Sequence, residues 1–346
     1  MSLRAALETV QAGGTLSREM TAAAISAVLQ PGFAEDDLAA LLTAMADRGE
    51  TADEILGGAE AMRAAMTPFT AMPAFAVDTC GTGGDGLGSF NISTASAIVA
   101  AAAGAKVVKH GNRSVSSSCG SADLLEAAGV CLELQPQAAA QVLEECGMVF
   151  LYAPTYHAAM RFVAPVRARL KRRTLFNFLG PLCHPGGVKR QLLGIGMAER
   201  LDDYAAILSQ LGCERGYVVH GADGADELTL AGTNAVRPIG STPFHNAAVP
   251  SLDGAALGFA QTGAAALEGG NAQVNLGLLH ALLQGEGGAI RNAVVLNAAA
   301  TLLVAEVASD LDSAAACATA ALDRGNAAAL LARLVEASQR HGGGVS

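Results

Sequence analysis

The sequence predicts an α/β protein: a small all-helical domain joined to a larger domain with a central, mostly parallel sheet. Three observations predict it. Residues 1–70 carry helical periodicity and helix caps but no strand pattern. Beyond the two-proline linker "TPFTAMPAFAV", short apolar runs alternate with loops and helices, the rhythm of parallel strands joined by crossovers. The chain has 346 residues, 51% hydrophobic and 16% charged, enough for about two domains that bury their cores without staples.

The helical part opens with Leu3–Gln11, stopped at Gly13-Gly14, and continues with "SREMTAAAISAVLQ", stopped at Pro31-Gly32. "AEDDLAALLTAMADRG" places Leu38, Leu41, Leu42 and Met45 on one helical face. Thr51 and Glu54 form a capping box for a fourth helix running to about Met66. In the second part "FAVDTC" leads into a glycine loop and the helix "TASAIVAAAAG". "KVVKHG" leads into a serine-rich loop and "SADLLEAAG", a helix predicted to be capped by Ser121. A strand-like "CLEL" precedes a helix begun by Pro136 and ended by Gly147; then come "MVFLYAP", "QLLGIG", a helix to about Leu211, "GYVVHG" and a helix-rich remainder.

Composition narrows the function classes. With 22 basic and 32 acidic residues the net charge is −10, which disfavours general binding to nucleic acid or anionic membranes, so an anionic ligand needs a local basic site. The seven cysteines include no C-x-x-C pair. Disulfide frameworks and zinc sites are therefore not expected, and a reducing, cytoplasmic setting is. The N-terminal stretch lacks the apolar core of a signal peptide, and "ASAIVAAAAGAKVV" is too short to span a membrane.

The stretch "DTCGTGGDGLGSFNIST" contains Gly81, Gly83 and Gly86 in a G-x-G-x-x-G pattern. A dinucleotide site also requires an acidic residue about 20 positions on, to hold a ribose hydroxyl. None occurs between Gly86 and Asp123, where Lys109 and His110 stand instead, and no Walker Gly-Lys-Ser/Thr is present. What remains is a loop of backbone amides feeding a helix N-terminus at Asn91, Ser93 and Thr94, an arrangement suited to phosphate. The second loop, "KHGNRSVSSSCGS", adds Lys109, Arg113 and five hydroxyls. Two such loops at the carboxyl ends of strands point to one anion-rich ligand.

The segments "GTGGDGLGSFNISTASA", "KHGNRSVSSSCGSADLLEAAG", "VRARLKRRTLFNFLGPL" and "GADELTL" resemble the anthranilate phosphoribosyltransferase family over nearly the whole chain. The resemblance implies a nucleoside phosphorylase/phosphoribosyltransferase-like fold. Its helical domain would be residues 1–70, with roughly 163–188 returning to it, and its α/β domain 73–162 and 189–346. It implies transfer of phosphoribose from phosphoribosyl pyrophosphate to anthranilate, for tryptophan biosynthesis, by a homodimer that uses Mg²⁺.

By that resemblance Gly81, Gly84, Asp85, Ser89, Asn91, Ile92, Ser93 and Thr94 cradle the donor, and Lys109, His110, Gly111, Asn112, Arg113, Ser116, Ser117 and Ser121 close over it. Read alone, Asp85 is as well explained by an Asx turn. Family members commonly carry Lys where this chain has Ser118, which removes one charge contact. Asp226 and Glu227 are implied as magnesium ligands, with Ser93 on a second ion; hard carboxylates suit that metal, though a solvated turn explains them as well. The acceptor carboxylate calls for a planar arginine fork. "RFVAPVRARLKRR" supplies Arg161, Arg167, Arg169, Lys171, Arg172 and Arg173. The resemblance selects Arg167, with Gly81, His110, Asn112 and His157 around the ring. No general acid or base is assigned. The competing readings are a pyrimidine nucleoside phosphorylase-like enzyme, whose "KHSTGG" is absent, and a non-catalytic nucleic-acid-binding relative, which the net charge opposes.

Overall fold

In the computed structural model, residues 2–114, 118–240, 242 and 251–343 are described. The chain divides into two compact units: Met1–Pro68 with Pro154–Gly187, and Phe69–Ala153 with Val188–Ser346.

The first unit begins with α1 (Leu3–Gln11), α2 (Arg18–Val28), α3 (Glu35–Arg48) and α4 (Ala52–Ala65). Leu38, Leu41, Leu42 and Met45 of α3 are fully buried. The Thr51 hydroxyl accepts the Glu54 N–H, and the Glu54 carboxylate accepts that of Thr51. Glu54 is itself buried and bound by Arg48 at 2.6 Å. Gly57 lets α4 lie against the Arg18 carbonyl of α2, where a Cβ has no room.

The second unit starts with β1 (Asp78–Gly81), α5 (Ile92–Ala102), β2 (Val107–Gly111), α6 (Ser121–Ala127), α7 (Pro136–Cys146) and β3 (Met148–Tyr152). The chain then returns to the first unit through α8 (Ala153–Tyr156), α9 (Ala164–Leu170) and α10 (Leu175–Leu179). This return begins at Pro154 and not near 163. The Tyr156 carbonyl accepts the Thr67 N–H and His157 bonds the Cys183 carbonyl, so these residues already belong to the helical unit. After β4 (Arg190–Gly194), α11 (Leu201–Gln210), β5 (Arg215–His220) and β6 (Ala235–Gly240), the second unit ends with α12 (Ala272–Leu283), α13 (Ala289–Val304), α14 (Leu311–Asp323) and α15 (Asn326–Gly342).

β1, β4 and β5 run parallel in the order β1-β4-β5-β6, with β6 antiparallel at the edge. β2 and β3 form a parallel pair, linked to β1 by bonds from Val77 N–H to Lys106 O and from Val108 N–H to Val77 O. The chain thus leaves β1 toward β2 on one side and pairs β1 with β4 on the other. Such a reversal opens a crevice at the carboxyl ends of the strands.

Two expectations are corrected. The strand-like Cys131–Leu134 joins no ladder; Leu132 and Leu134 are buried, and the Cys131 N–H goes to Ser338 of α15. Ser121 is the first residue of α6 and not its cap: Asp123 reaches back to the Gly120 N–H at 2.8 Å, and the Ser121 hydroxyl donates to the Asn112 carbonyl. Among the described residues no helix is long and apolar enough to cross a membrane.

Candidate active site

The loop after β1 turns through Gly83, Gly84, Gly86 and Gly88, all at positive φ between 65° and 79°, where a side chain is strained. Asp85 accepts the Leu87 N–H at 3.1 Å, an Asx turn, and its charge also acts on Asp226. The Asx-turn reading of Asp85 therefore holds. The strand leaving the loop is pinned from the far end of the chain: Phe90 N–H donates to Leu267 O, and Gly269 N–H to Gly88 O. Ser89 bridges Glu268.

Asn91, at the N-terminus of α5, does not cap the helix with its side chain. Its amide donates to the Cys119 carbonyl at 3.0 Å and accepts from buried Asn275 at 2.8 Å, linking the two loops through α12. Ile92 is buried. The first amides of α5 are also less open than the sequence implies, because the Ser93 N–H donates to Glu227 at 3.1 Å. The Thr94 hydroxyl is buried with no partner among the described residues.

On the neighbouring strand Lys109 is buried; its ammonium donates to the Thr79 carbonyl and, at 3.3 Å, to the Ser93 hydroxyl. Its charge favours ionised Glu227. The His110 N–H donates to Asp78 at 3.3 Å. At Gly111 an added Cβ would strike the Ser121 hydroxyl and the Phe150 ring, so the close approach demands glycine. The Asn112 side chain accepts the Arg113 N–H. Arg113 is engaged elsewhere than expected: it grips Glu126 through two bonds of 2.6 and 2.7 Å, bonds Asp123 at 3.1 Å and touches the Tyr152 hydroxyl at 3.2 Å. Ser116 and Ser117 lie outside the described residues; Ser118 is exposed.

Asp226 and Glu227 sit on this floor. Asp226 accepts the Gly83 N–H at 2.5 Å. Gly81 and Gly194, at the ends of paired β1 and β4, leave the space Asp226 fills; a Cβ on either would overlap it. Both carboxyls are held well above the ordinary carboxylate range. For Asp226 the causes are burial and then repulsion from Asp85; for Glu227 they are burial and then repulsion from Asp226. No three His, Cys, Asp or Glu side chains among the described residues form a cluster able to enclose an ion. The set nonetheless fits magnesium, which takes one or two carboxylates and completes its shell with water and phosphate oxygens. Buried, mutually repelling carboxylates are what such a cation neutralises.

The first unit holds the other two candidates. Arg167, on α9, stands over the Phe176 ring at 5.7 Å, and burial lowers its pKa. Neighbouring Arg169 pairs with Asp36 and Arg172 with Asp47, whereas no ion pair of Arg167 occurs among the described residues. His157 is buried with Nε2 bonded to the Cys183 carbonyl at 3.0 Å. Burial pushes its pKa from 6.5 down to about 4. A depressed histidine leaves the folded state binding fewer protons, so this stability is present above pH 6.5 and is lost as pH falls from there through about 4. The loss integrates to about 3 kcal/mol at most. Urea unfolding at pH 4.5 and 7 should show His157→Gln losing less stability on acidification than wild type. Equal losses would place the acid sensitivity elsewhere.

Sheet, glycine loop and acidic pair define a class. Residues 74–328 match the α/β domain of a glycosyl transferase family, and residues 4–66 match its helical bundle domain. Anthranilate phosphoribosyltransferase of Rhodopseudomonas palustris is 43% identical over 98% of this chain and 99% of its own. That of Moorella thermoacetica is 43% identical over 96% and 97%. The crystal structure of the Thermus thermophilus enzyme superposes with a TM-score of 0.89 at 41% identity, covering 96% of this chain and 99% of that one. The chain belongs to the anthranilate phosphoribosyltransferase family. The Saccharomyces cerevisiae protein, solved with phosphoribosyl pyrophosphate and Mg, shares the fold at a TM-score of 0.88 and 23% identity over 98% of both chains.

Proposed function

We infer that the protein transfers the phosphoribosyl group of 5-phosphoribosyl 1-pyrophosphate to the amine of anthranilate, giving N-(5-phosphoribosyl)anthranilate and pyrophosphate. The bond from ribose C1 to the pyrophosphate oxygen breaks, a C1–N bond forms, and the amine gives up a proton. The observation that carries the reading is the seating of Asp226 and Glu227 on the amides of Gly83 and Ser93. That places the acidic pair on the two backbone stretches that suit a pyrophosphate.

Charge builds on the sugar and on the leaving pyrophosphate, so positioning and neutralisation supply the catalysis. The glycine-loop amides, Ser89, Asn91 and the Thr94 hydroxyl bind the donor. Lys109 balances Glu227 from beneath. Asp226 and Glu227 would hold Mg²⁺, with Ser93 facing a second ion; the metal supplies charge neutralisation for the pyrophosphate. By the family resemblance, Gly81, His110, Asn112, His157 and Arg167 are the candidates for binding the acceptor. The bonds to Glu126 and Asp123 make Arg113 a weaker candidate for direct contact with the donor. The family resemblance further supports a cytoplasmic homodimer, which light scattering of the eluted protein would test.

The deciding experiment mixes protein, Mg²⁺, phosphoribosyl pyrophosphate and anthranilate and follows anthranilate fluorescence. A signal that does not fall with time rejects the activity. Arg167 lacks a described counter-ion, as a carboxylate receptor should. Arg167→Lys replaces a fork by a point charge and loses one charge-assisted bond, so the KM for anthranilate should rise about tenfold or more while that for the donor holds. Equal rises for both substrates would make Arg167 structural.

A further inference from the structure

Residues 226–229 lie in no helix or strand, yet the backbone that follows the acidic pair is fully bonded. The partners are side-chain amides. Asn297, fully buried on α13, accepts the Leu228 N–H at 3.1 Å and donates to the Leu228 carbonyl at 2.7 Å; its amide also donates to the Ala293 carbonyl at 2.9 Å. Asn234 repeats the pattern one residue on. It accepts the Thr229 N–H at 3.1 Å and donates to the Thr229 carbonyl at 3.1 Å and the Leu252 carbonyl at 2.9 Å. A carboxamide carries the same donor and acceptor as a peptide group. Two asparagines thus do for Leu228 and Thr229 what a neighbouring strand does inside a sheet.

We propose that Asn297, backed by Asn234, is a positioning residue that aims Glu227 and Asp226 at their cation. Clamping the amide and carbonyl of Leu228 fixes the peptide plane that leaves Glu227, and so the direction of its side chain. The same helix also supports the phosphate side, because Ser96 of α5 donates to the Val294 carbonyl at 3.2 Å. α13 is thus a common base under the carboxylates and under the helix that meets the pyrophosphate. A leucine at 297 would match the apolar, buried surroundings of Val294–Val304 but leave the Leu228 N–H and C=O unpaired. The proposal rests on the metal reading of Asp226 and Glu227.

The test titrates Mn²⁺ into the substrate-free protein and follows free Mn²⁺ by electron paramagnetic resonance, for wild type, Asn297→Leu, Asn234→Ser and Glu227→Gln. Asn297→Leu should weaken Mn²⁺ binding about tenfold, as loss of a ligand's supporting partner does. Asn234→Ser should weaken it less, and the KM for anthranilate should not move in either. Affinity that Glu227→Gln leaves unchanged overturns the metal reading and the proposal with it. Affinity lost in Glu227→Gln but kept in Asn297→Leu, with only the melting temperature lowered, overturns the positioning role alone. Hydrogen exchange in the wild type needs no variant: the Leu228 and Thr229 amides should be protected to the level of α13, and exchange at open-loop rates overturns the clamp.

Discussion

Asp226→Asn is expected to melt at a higher temperature than wild type in EDTA at pH 8, and to turn over at about a hundredth of its rate. The two effects share one cause. The Asp226 and Glu227 carboxyls titrate above their ordinary range because they are buried and repel their neighbours. A carboxyl whose folded pKa is raised makes the folded state bind more protons. Stability is then full below the unfolded pKa and drains away as pH climbs toward the folded value. An amide removes that drain and still accepts the Gly83 N–H. It is, however, a poor ligand for a hard divalent ion, and a cation that neutralises the departing pyrophosphate acts mainly on the transition state. Part of the lost rate should return as Mg²⁺ is raised, since mass action refills a weakened site; Glu227→Gln should behave likewise. Thermal melts with EDTA and a magnesium titration of initial rate check both halves. A variant that follows the wild-type magnesium curve at full rate would reduce the pair to a turn.

Gly194→Ala should cost about 3 kcal/mol or more and abolish activity, although it adds one methyl group to a strand end. Gly194 is not at positive φ, so backbone strain is not the reason. The reason is space: the new Cβ would lie within the Asp226 carbonyl, backbone against backbone, where no side chain can swing aside. Either β4 shifts against β1 or the acidic pair lifts from the glycine loop. Gly277→Ala, inside α12, meets nothing within 4 Å and should stabilise by about 0.5–1 kcal/mol. Urea unfolding of the two variants separates steric overlap from the general effect of replacing glycine. A Gly194→Ala protein of wild-type stability and rate would disprove the close approach.

What the sequence made legible was what is local. The α3 stripe, the Thr51–Glu54 box and the Pro136 start each depend on residues within a turn or two, and the glycine loop was visible as a loop feeding α5. β6 was missed because Pro238 interrupts its strand pattern, and only an edge position tolerates that. At the site, periodicity could not show which side chain meets which. The partners of Arg113, Asp123 and Glu126, lie three apart on α6, a pattern the sequence did carry. Asn234, in the loop before β6, looks like any turn residue, and Asn275 and Asn297 gave no signal, since an asparagine in a helix looks merely like a poor helix former. Their partners lie 5, 184 and 69 residues away, and only the folded chain brings them together.

The helical unit has a consequence during synthesis. Its α4 is completed by a segment made much later: Gly58 lies against Leu175 and Leu179, and Arg63 donates to the Leu182 carbonyl at 2.6 Å. At about 5–20 residues per second the ribosome needs roughly 6–24 s to travel from Pro68 to Gly187. For that interval the first four helices wait with an apolar face uncovered, while strands β1 to β3 emerge behind them. Nascent chains stalled before Leu175 should therefore recruit a holdase chaperone, and chains stalled well beyond Gly187 should release it.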